Sequence, residues 1–156
     1  MDFVVVDSDN FIYQYQNIEE EFDAKGVEVE LQVDLISGLN LSGNYTFTEA
    51  DERFALRIPK HKINATLGYS LGSTFTSLSY QFNDDRTDSF YNNETFANDI
   101  VVLNSYGILD YFISHQVNEN VKVFGGISNI TNEKYEEIYR FNTRGRNARI
   151  GLAINL

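Results

Sequence analysis

Residues 129–156, NITNEKYEEIYRFNTRGRNARIGLAINL, decide the fold. The segment opens as the end of one strand running into Asn-Ile-Thr-Asn-Glu-Lys-Tyr. A polar loop follows, then Arg144-Gly145-Arg146 and a final strand of strict alternation. In that strand Ile150, Leu152, Ile154 and Leu156 fall on one side, and Arg149, Gly151, Ala153 and Asn155 on the other. Successive strand side chains point to opposite faces, so the segment carries one apolar and one polar face.

The same alternation recurs toward the N-terminus. Val27, Val29, Leu31, Val33 and Leu35 oppose Glu28, Glu30, Gln32 and Asp34. Leu39, Leu41, Tyr45 and Phe47 oppose Asn40, Ser42, Asn44 and Thr46. Period-two runs of this length read as strands with one wet face. The chain parses into about eight antiparallel strands joined up and down, near residues 2–6, 11–35, 39–47, 63–71, 76–82, 100–116, 121–130 and 149–156. Turns at 36–38, 72–73 and 117–120 are short, and connections at 49–57, 84–98 and 131–143 are long. Short turns on one rim and long loops on the other is the pattern of an outer-membrane barrel, with the short rim periplasmic.

Composition narrows the function classes. At 156 residues the chain is about one domain, and it has no cysteine, so neither a disulfide framework nor a thiolate metal site is available. Its two histidines, His61 and His115, lie in different strands and read as surface or interface residues. A formal charge of −11 argues against nucleic acid, which needs a basic footprint. No run of about 18 apolar residues exists, which excludes a transmembrane helix and leaves a transmembrane barrel open. No positively charged segment followed by an apolar one opens the chain, so Met1 is expected to be internal to a longer protein or an imposed start. Walker, dinucleotide, nucleophile-elbow and zinc-protease motifs are absent, and no catalytic residue or metal ligand is assigned. No cofactor is expected.

The polar face of the middle strands is mostly Asn, Thr, Ser and Gly. A closed eight-stranded barrel must fill its interior with side chains, so small polar residues suit the wall of a wider barrel. Tyr45 and Phe47, Tyr80 and Phe82, and Tyr135 and Tyr139 gather near strand ends, as interfacial aromatic girdles do.

The chain resembles the C-terminal part of TonB-dependent outer-membrane receptors. Gly26-Val27-Glu28-Val29-Glu30 is similar to their Gly-Val-Glu strand opening. Arg57-Ile58-Pro59-Lys60-His61, followed by Asn64, is similar to their Arg-x-Pro-x-His entry to a strand. Leu103, Tyr106 and Leu109-Asp110 fit the strand before the last periplasmic turn, and Asn129, Tyr135, Gly145 and Arg146 fit the closing element. Two departures stand out: Ile130-Thr131 replaces the family's Leu-Phe, and Leu156 stands where an aromatic is usual. The resemblance implies the last eight or so strands of a barrel of about 22, without the plug domain and earlier strands. It implies a receptor in the bacterial outer membrane, in contact with lipid, that takes up a scarce small-molecule nutrient such as an iron–siderophore complex or cobalamin. Uptake would be energised by the TonB complex acting through the plug.

Structural roles follow for several of these residues. Gly26 permits a bend or bulge, Pro59 suits a strand start because it lacks a donor, and Asn129 and Arg146 tie adjacent rims by hydrogen bonds. Glu28, Tyr135 and Gly145 belong to the same structural set. The acidic and aromatic loop Asp84, Asp85, Arg86, Asp88, Phe90 and Tyr91 is the ligand-binding candidate, beside the plainer reading of a solvated loop. Glu49, Asp51 and Glu52 invite the same pair of readings. Two other architectures remain open on sequence: a self-contained eight-stranded outer-membrane barrel of structural or adhesive role, and a soluble ligand-binding barrel with its apolar face inward.

Overall fold

The computed structural model describes residues 2–7, 12–16, 23–51 and 55–155. Among them are thirteen strands and no helix: β1 (Asp2–Asp7), β2 (Ile12–Gln16), β3 (Ala24–Ile36), β4 (Leu39–Ala50), β5 (His61–Leu71), β6 (Thr74–Asn83), β7 (Arg86–Asn92), β8 (Ala97–Leu103), β9 (Tyr106–Asn118), β10 (Val121–Ser128), β11 (Glu136–Ile138), β12 (Phe141–Asn142) and β13 (Asn147–Ile154). Seven of them form one antiparallel sheet in the order β13-β10-β9-β6-β5-β4-β3. The remaining six make three separate hairpins, β1–β2, β7–β8 and β11–β12. Among the described residues β3 and β13 each leave one edge unpaired, so the sheet is open.

Register converts the sequence alternation into continuous rows. Val33, Leu41, Leu67, Leu78, Tyr111, Ile127 and Ala148 are cross-strand partners in turn, one from each strand of the sheet. On the opposite face runs Gln32, Ser42, Thr66, Ser79 and Asp110. Hydroxyls and amides pair across this second face, Thr66 Oγ1 with Ser79 Oγ at 3.0 Å and Asn64 Nδ2 donating to Asn44 Oδ1 at 3.0 Å. One layer cannot bury its own apolar face. Among the described residues only Leu103 and Tyr106 are buried hydrophobics, whereas Val27 is 58 %, Leu152 57 % and Ile150 91 % exposed. An apolar patch this wide calls for a cover that the described residues do not supply.

The short turns are at 37–38, 72–73 and 119–120. Gly38 (φ +80°) and Gly72 (φ +56°) take the left-handed backbone that tight hairpins need. Along β5 the eleven residues from His61 to Leu71 cover about 33 Å at ~3.3 Å per residue. A barrel tilt of ~40° reduces this to about 25 Å of height, the width of a membrane barrel's apolar band.

Several sequence expectations are corrected. The long second strand is two, β2 and β3, in different sheets; Phe11 and residues 17–22 lie outside the described residues. The sixth strand breaks at Asn104-Ser105, where β8 ends and β9 begins. Apolar residues stand close on both sides of this two-residue break, so the pattern alone does not reveal it. The loop at 84–98 holds a hairpin, and β10 stops at Ser128 because Asn129 turns to φ +54°. Register runs unbroken through Gly26, and the bulge in that strand pair falls between Asp34 and Ile36. A Cβ at Gly26 would meet the carbonyl oxygen of Phe47 at 2.5 Å, so close backbone approach, not a bulge, explains that glycine. The polar face is also less uniform than its middle strands suggest. Toward the short turns it carries Phe75, Phe112 and Phe124, ring centroids 6.4 Å apart in each adjacent pair, over the buried Ser114.

Candidate functional site

Three connections rise from the rim opposite the short turns: residues 51–60, 84–105 and 129–146. They are clasped together at Asp88, whose side chain is fully buried. Within β7 the alternation Arg86, Asp88, Phe90 turns these three toward neighbouring loops, and Tyr91 stays exposed. Arg57, at φ +63°, donates its Nε to Asp88 Oδ1 at 2.7 Å, and its backbone N–H donates to Thr87 O at 2.7 Å. Asp88 Oδ2 accepts from Tyr139 N at 2.8 Å and Oδ1 from Ser89 N at 2.8 Å. Burial alone would raise this carboxyl. The N–H of Tyr139, the Arg57 guanidinium and the N–H of Ser89 outweigh it and hold the group below the ordinary carboxylate range.

A second set of contacts lies beside it. Arg86, buried, donates Nη2 to Glu136 O at 2.7 Å and sits 5.2 Å above the ring of Tyr106. Tyr106 stacks on Tyr135 with centroids 4.1 Å apart, accepts from Asn83 Nδ2 at 2.9 Å and donates to Glu137 Oε1 at 3.3 Å. Burial, then the Glu137 carboxylate, push the Tyr135 phenol above its ordinary value. Phe90 packs on Tyr139 at 4.6 Å, and the Arg140 guanidinium lies 5.1 Å from both rings.

Asn129 closes the last loop from within. Buried and at positive φ, it donates its N–H to Asp110 Oδ1 at 2.7 Å, Nδ2 to Glu133 O at 2.9 Å, and accepts from Glu133 N at 2.8 Å. Arg146 joins through its backbone N–H to Asn132 Oδ1 at 2.9 Å. The same Asn132 oxygen stands 2.9 Å from where a Gly145 Cβ would be. Pro59 stands two residues before the start of β5, and Lys60 O takes the N–H of Thr48 at 3.0 Å. Glu28, opposite Thr46, is exposed on the polar face.

A cleft of about 570 Å³ opens between the end of the β7–β8 hairpin and residues 132–145, lined among others by Asn104, Ser105, Lys134, Tyr135, Tyr139 and Asn142. Of the six ligand candidates, Arg86, Asp88 and Phe90 are engaged in holding loops together, and Asp85 and Tyr91 face solvent. None of the six lines the cleft. Of its lining residues, Leu103, Tyr135, Tyr139 and Gly145 stand out in the sequence, but not as ligand contacts; the polar ones, such as Asn104, Ser105 and Asn142, carry no periodic signal. Tyr135 and Tyr139 turn into loop packing instead of a membrane girdle. Glu52 lies outside the described residues, and Glu49 pairs with Lys25 at 3.0 Å. Among the described residues no three acidic or histidine side chains gather as a metal cluster.

Residues 2–130 match the family model described as TonB dependent receptor-like, beta-barrel. The chain belongs to that family. Its fold is similar to solved members. With the pyoverdine outer membrane receptor FpvA from Pseudomonas aeruginosa PAO1 the TM-score is 0.75 at 15 % identity, over 97 % of this chain and 24 % of that one. For the siderophore receptor PiuA from Acinetobacter baumannii the figures are 0.68 and 18 %, over 85 % and 22 %. For the ferric-catecholate import receptor Fiu from E. coli K12 they are 0.67 and 12 %, over 85 % and 21 %. The chain therefore spans less than a quarter of the length of these receptors. Barrels of this kind turn an apolar outer face to lipid and a polar inner face to the lumen, and the family is one of transport receptors.

Proposed function

We propose that this chain forms the C-terminal wall of a TonB-dependent outer-membrane receptor that takes up a scarce nutrient, with an iron–siderophore complex favoured over cobalamin. The observation that carries this reading is the open seven-stranded sheet, apolar on one face throughout, within a chain of the receptor-barrel family. Its two free edges call for further strands, because unpaired backbone groups are not tolerated in hydrocarbon. The names of the similar structures, receptors for pyoverdine and ferric catecholate, supply the siderophore class. The remaining strands, a plug in the lumen, the TonB complex and outer-membrane lipid are the implied partners. In this arrangement the segment contributes wall, lumen lining and part of the outer loop rim, and the cleft beside Tyr135 and Tyr139 is its contribution to ligand contact.

The test is uptake of radioactive iron by cells whose only siderophore receptor is the complete protein containing these residues. Uptake that disappears on loss of TonB supports the reading. TonB-independent uptake overturns it, as does a closed, monodisperse small barrel formed by this chain alone. The open edges β3 and β13 disfavour that self-contained alternative, and the outward apolar face disfavours a soluble barrel.

A further inference from the structure

The cleft beside Tyr135 and Tyr139 is walled by runs of consecutive residues, 102–105 on one side and 132–136 on the other. Consecutive strand side chains point to opposite faces, so Val102 and Leu103 both line one cleft only where its wall is the strand's edge. The wall is therefore main chain as much as side chain. β8 pairs with β7 alone, and among the described residues nothing else bonds to its main chain. The edge of β7 differs, because Thr87 O takes the N–H of Arg57. The facing hairpin is held away from the open edge by bonds of its own. Glu136 O accepts from Arg86 at 2.7 Å and Tyr139 N donates to Asp88 at 2.8 Å. Thr143 Oγ1 donates to Tyr135 O at 2.6 Å, and Asn132 Oδ1 accepts from Arg146 N at 2.9 Å. Residues 132–145 are thus fixed across a gap of about 570 Å³. Asn104, Ser105, Lys134 and Asn142 line that gap with no side-chain partner among the described residues.

We infer that the cleft binds a peptide chain of the imported chelate in extended form, its main chain added as a strand along the β8 edge. Unpaired backbone donors and acceptors on a strand edge are the complement of an extended peptide. The side-chain amides of Asn104 and Asn142 each offer both a donor and an acceptor, which suits the remaining peptide groups. The seven residues of β8 give an edge of about 23 Å at ~3.3 Å per residue. An added strand bonds to its neighbour through every second residue, so recognition is by main chain in a fixed register. The substrate class is thereby an iron chelate built on a peptide, an inference that rests on the uptake function proposed above.

The experiment is equilibrium dialysis of the complete receptor containing this chain against a radioactive ferric chelate. The chelator is a linear peptide with hydroxamate side chains on alternate residues. It is compared with two forms methylated on one or the other alternating set of backbone nitrogens. One methylated form is expected to bind more weakly, by about fivefold for each hydrogen bond removed, and the other to bind like the parent. Amide exchange in β8 slows when the parent is bound. Asn104→Ala with Asn142→Ala weakens the parent, and Asn93→Ala, between β7 and β8 and outside the cleft, leaves it unchanged. Equal affinity of all three forms, or unchanged exchange in β8, overturns the inference and leaves the uptake reading intact. So does failure to bind the peptide chelate by a receptor that still imports iron with TonB. Iron import that needs no TonB overturns the uptake reading itself, and the inference with it.

Discussion

The sheet and the loop rim solve opposite problems. In the sheet, large apolar side chains stand exposed, and apart from the buried Ser114 the polar ones mostly pair across a wet face. In the rim, charged and polar side chains are the buried ones: Asp88, Arg86 and Asn129, with Asn83 at the rim end of β6, are each below 8 % exposed. Strand ladders hold the sheet, and cross-strand side-chain pairs such as Thr66–Ser79 add to them. The loops have too few ladder bonds, so a few side chains from distant sequence positions supply the acceptors and donors instead. The difference teaches that in this barrel segment apolarity reports on the surroundings, whereas internal cohesion outside the strands is polar.

That contrast is broken most strongly by placing a charge on the apolar face. Leu67→Arg, at mid-sheet, is expected to cost about 2–4 kcal/mol of the complete barrel's unfolding free energy in lipid vesicles. Thr66→Arg, one residue away on the polar face, should cost no more than about 1 kcal/mol, the hydrogen bond to Ser79. Equal costs at the two positions would show that the faces are not distinguished. Asp88→Ala tests the rim. Removing the buried acceptor should lower local stability by about 2–3 kcal/mol, read as faster amide exchange at Ser89 and Tyr139 with the β5–β6 ladder unchanged. Loss of protection in the ladder as well would mean that loops and sheet are one cooperative unit.

Acid provides a reversible version of the same break. The Asp88 carboxyl titrates lower in the folded rim than in an unfolded chain, so its contribution is complete above about pH 4 and disappears as pH falls through the lower folded value. Exchange at Tyr139 should therefore accelerate only below the usual carboxylate range, and in Asp88→Ala that step should vanish. The smallest effect is expected from Tyr106→Phe, about 1 kcal/mol, because it strands Asn83 Nδ2 but keeps the stack on Tyr135. Thermal shift of the loop signal against the sheet signal measures it.

Much of the sheet was legible in the chain itself. Val27 to Leu35 and Ile63 to Leu71 alternate so regularly that strand and face follow together, and short against long connections separate the rims. The rim resisted reading for a physical reason. Nothing in the order Asp84-Asp85-Arg86-Thr87-Asp88 states that Arg57 and the amide of Tyr139 will arrive from 31 and 51 residues away. Isolated acidic residues read as solvated until their partners are known. One signal was available: Arg86, Asp88 and Phe90 alternate with Thr87, Ser89 and Tyr91, which marks a short strand with a packed side. The hairpin β11–β12 gave less, being three residues against two.

The β3–β4 ribbon continues to the pair Ala24 and Ala50, whereas β5 joins β4 only as far as the pair His61 and Phe47. The β3–β4 pairing thus reaches further along this rim than the β4–β5 pairing. Because these 156 residues hold no cysteine, Asp51→Cys would place the single thiol of this segment at the end of that ribbon. A thiol reagent too large and charged to cross the membrane should label it on whole cells and leave Ser73→Cys, at the opposite rim, untouched until the cells are opened.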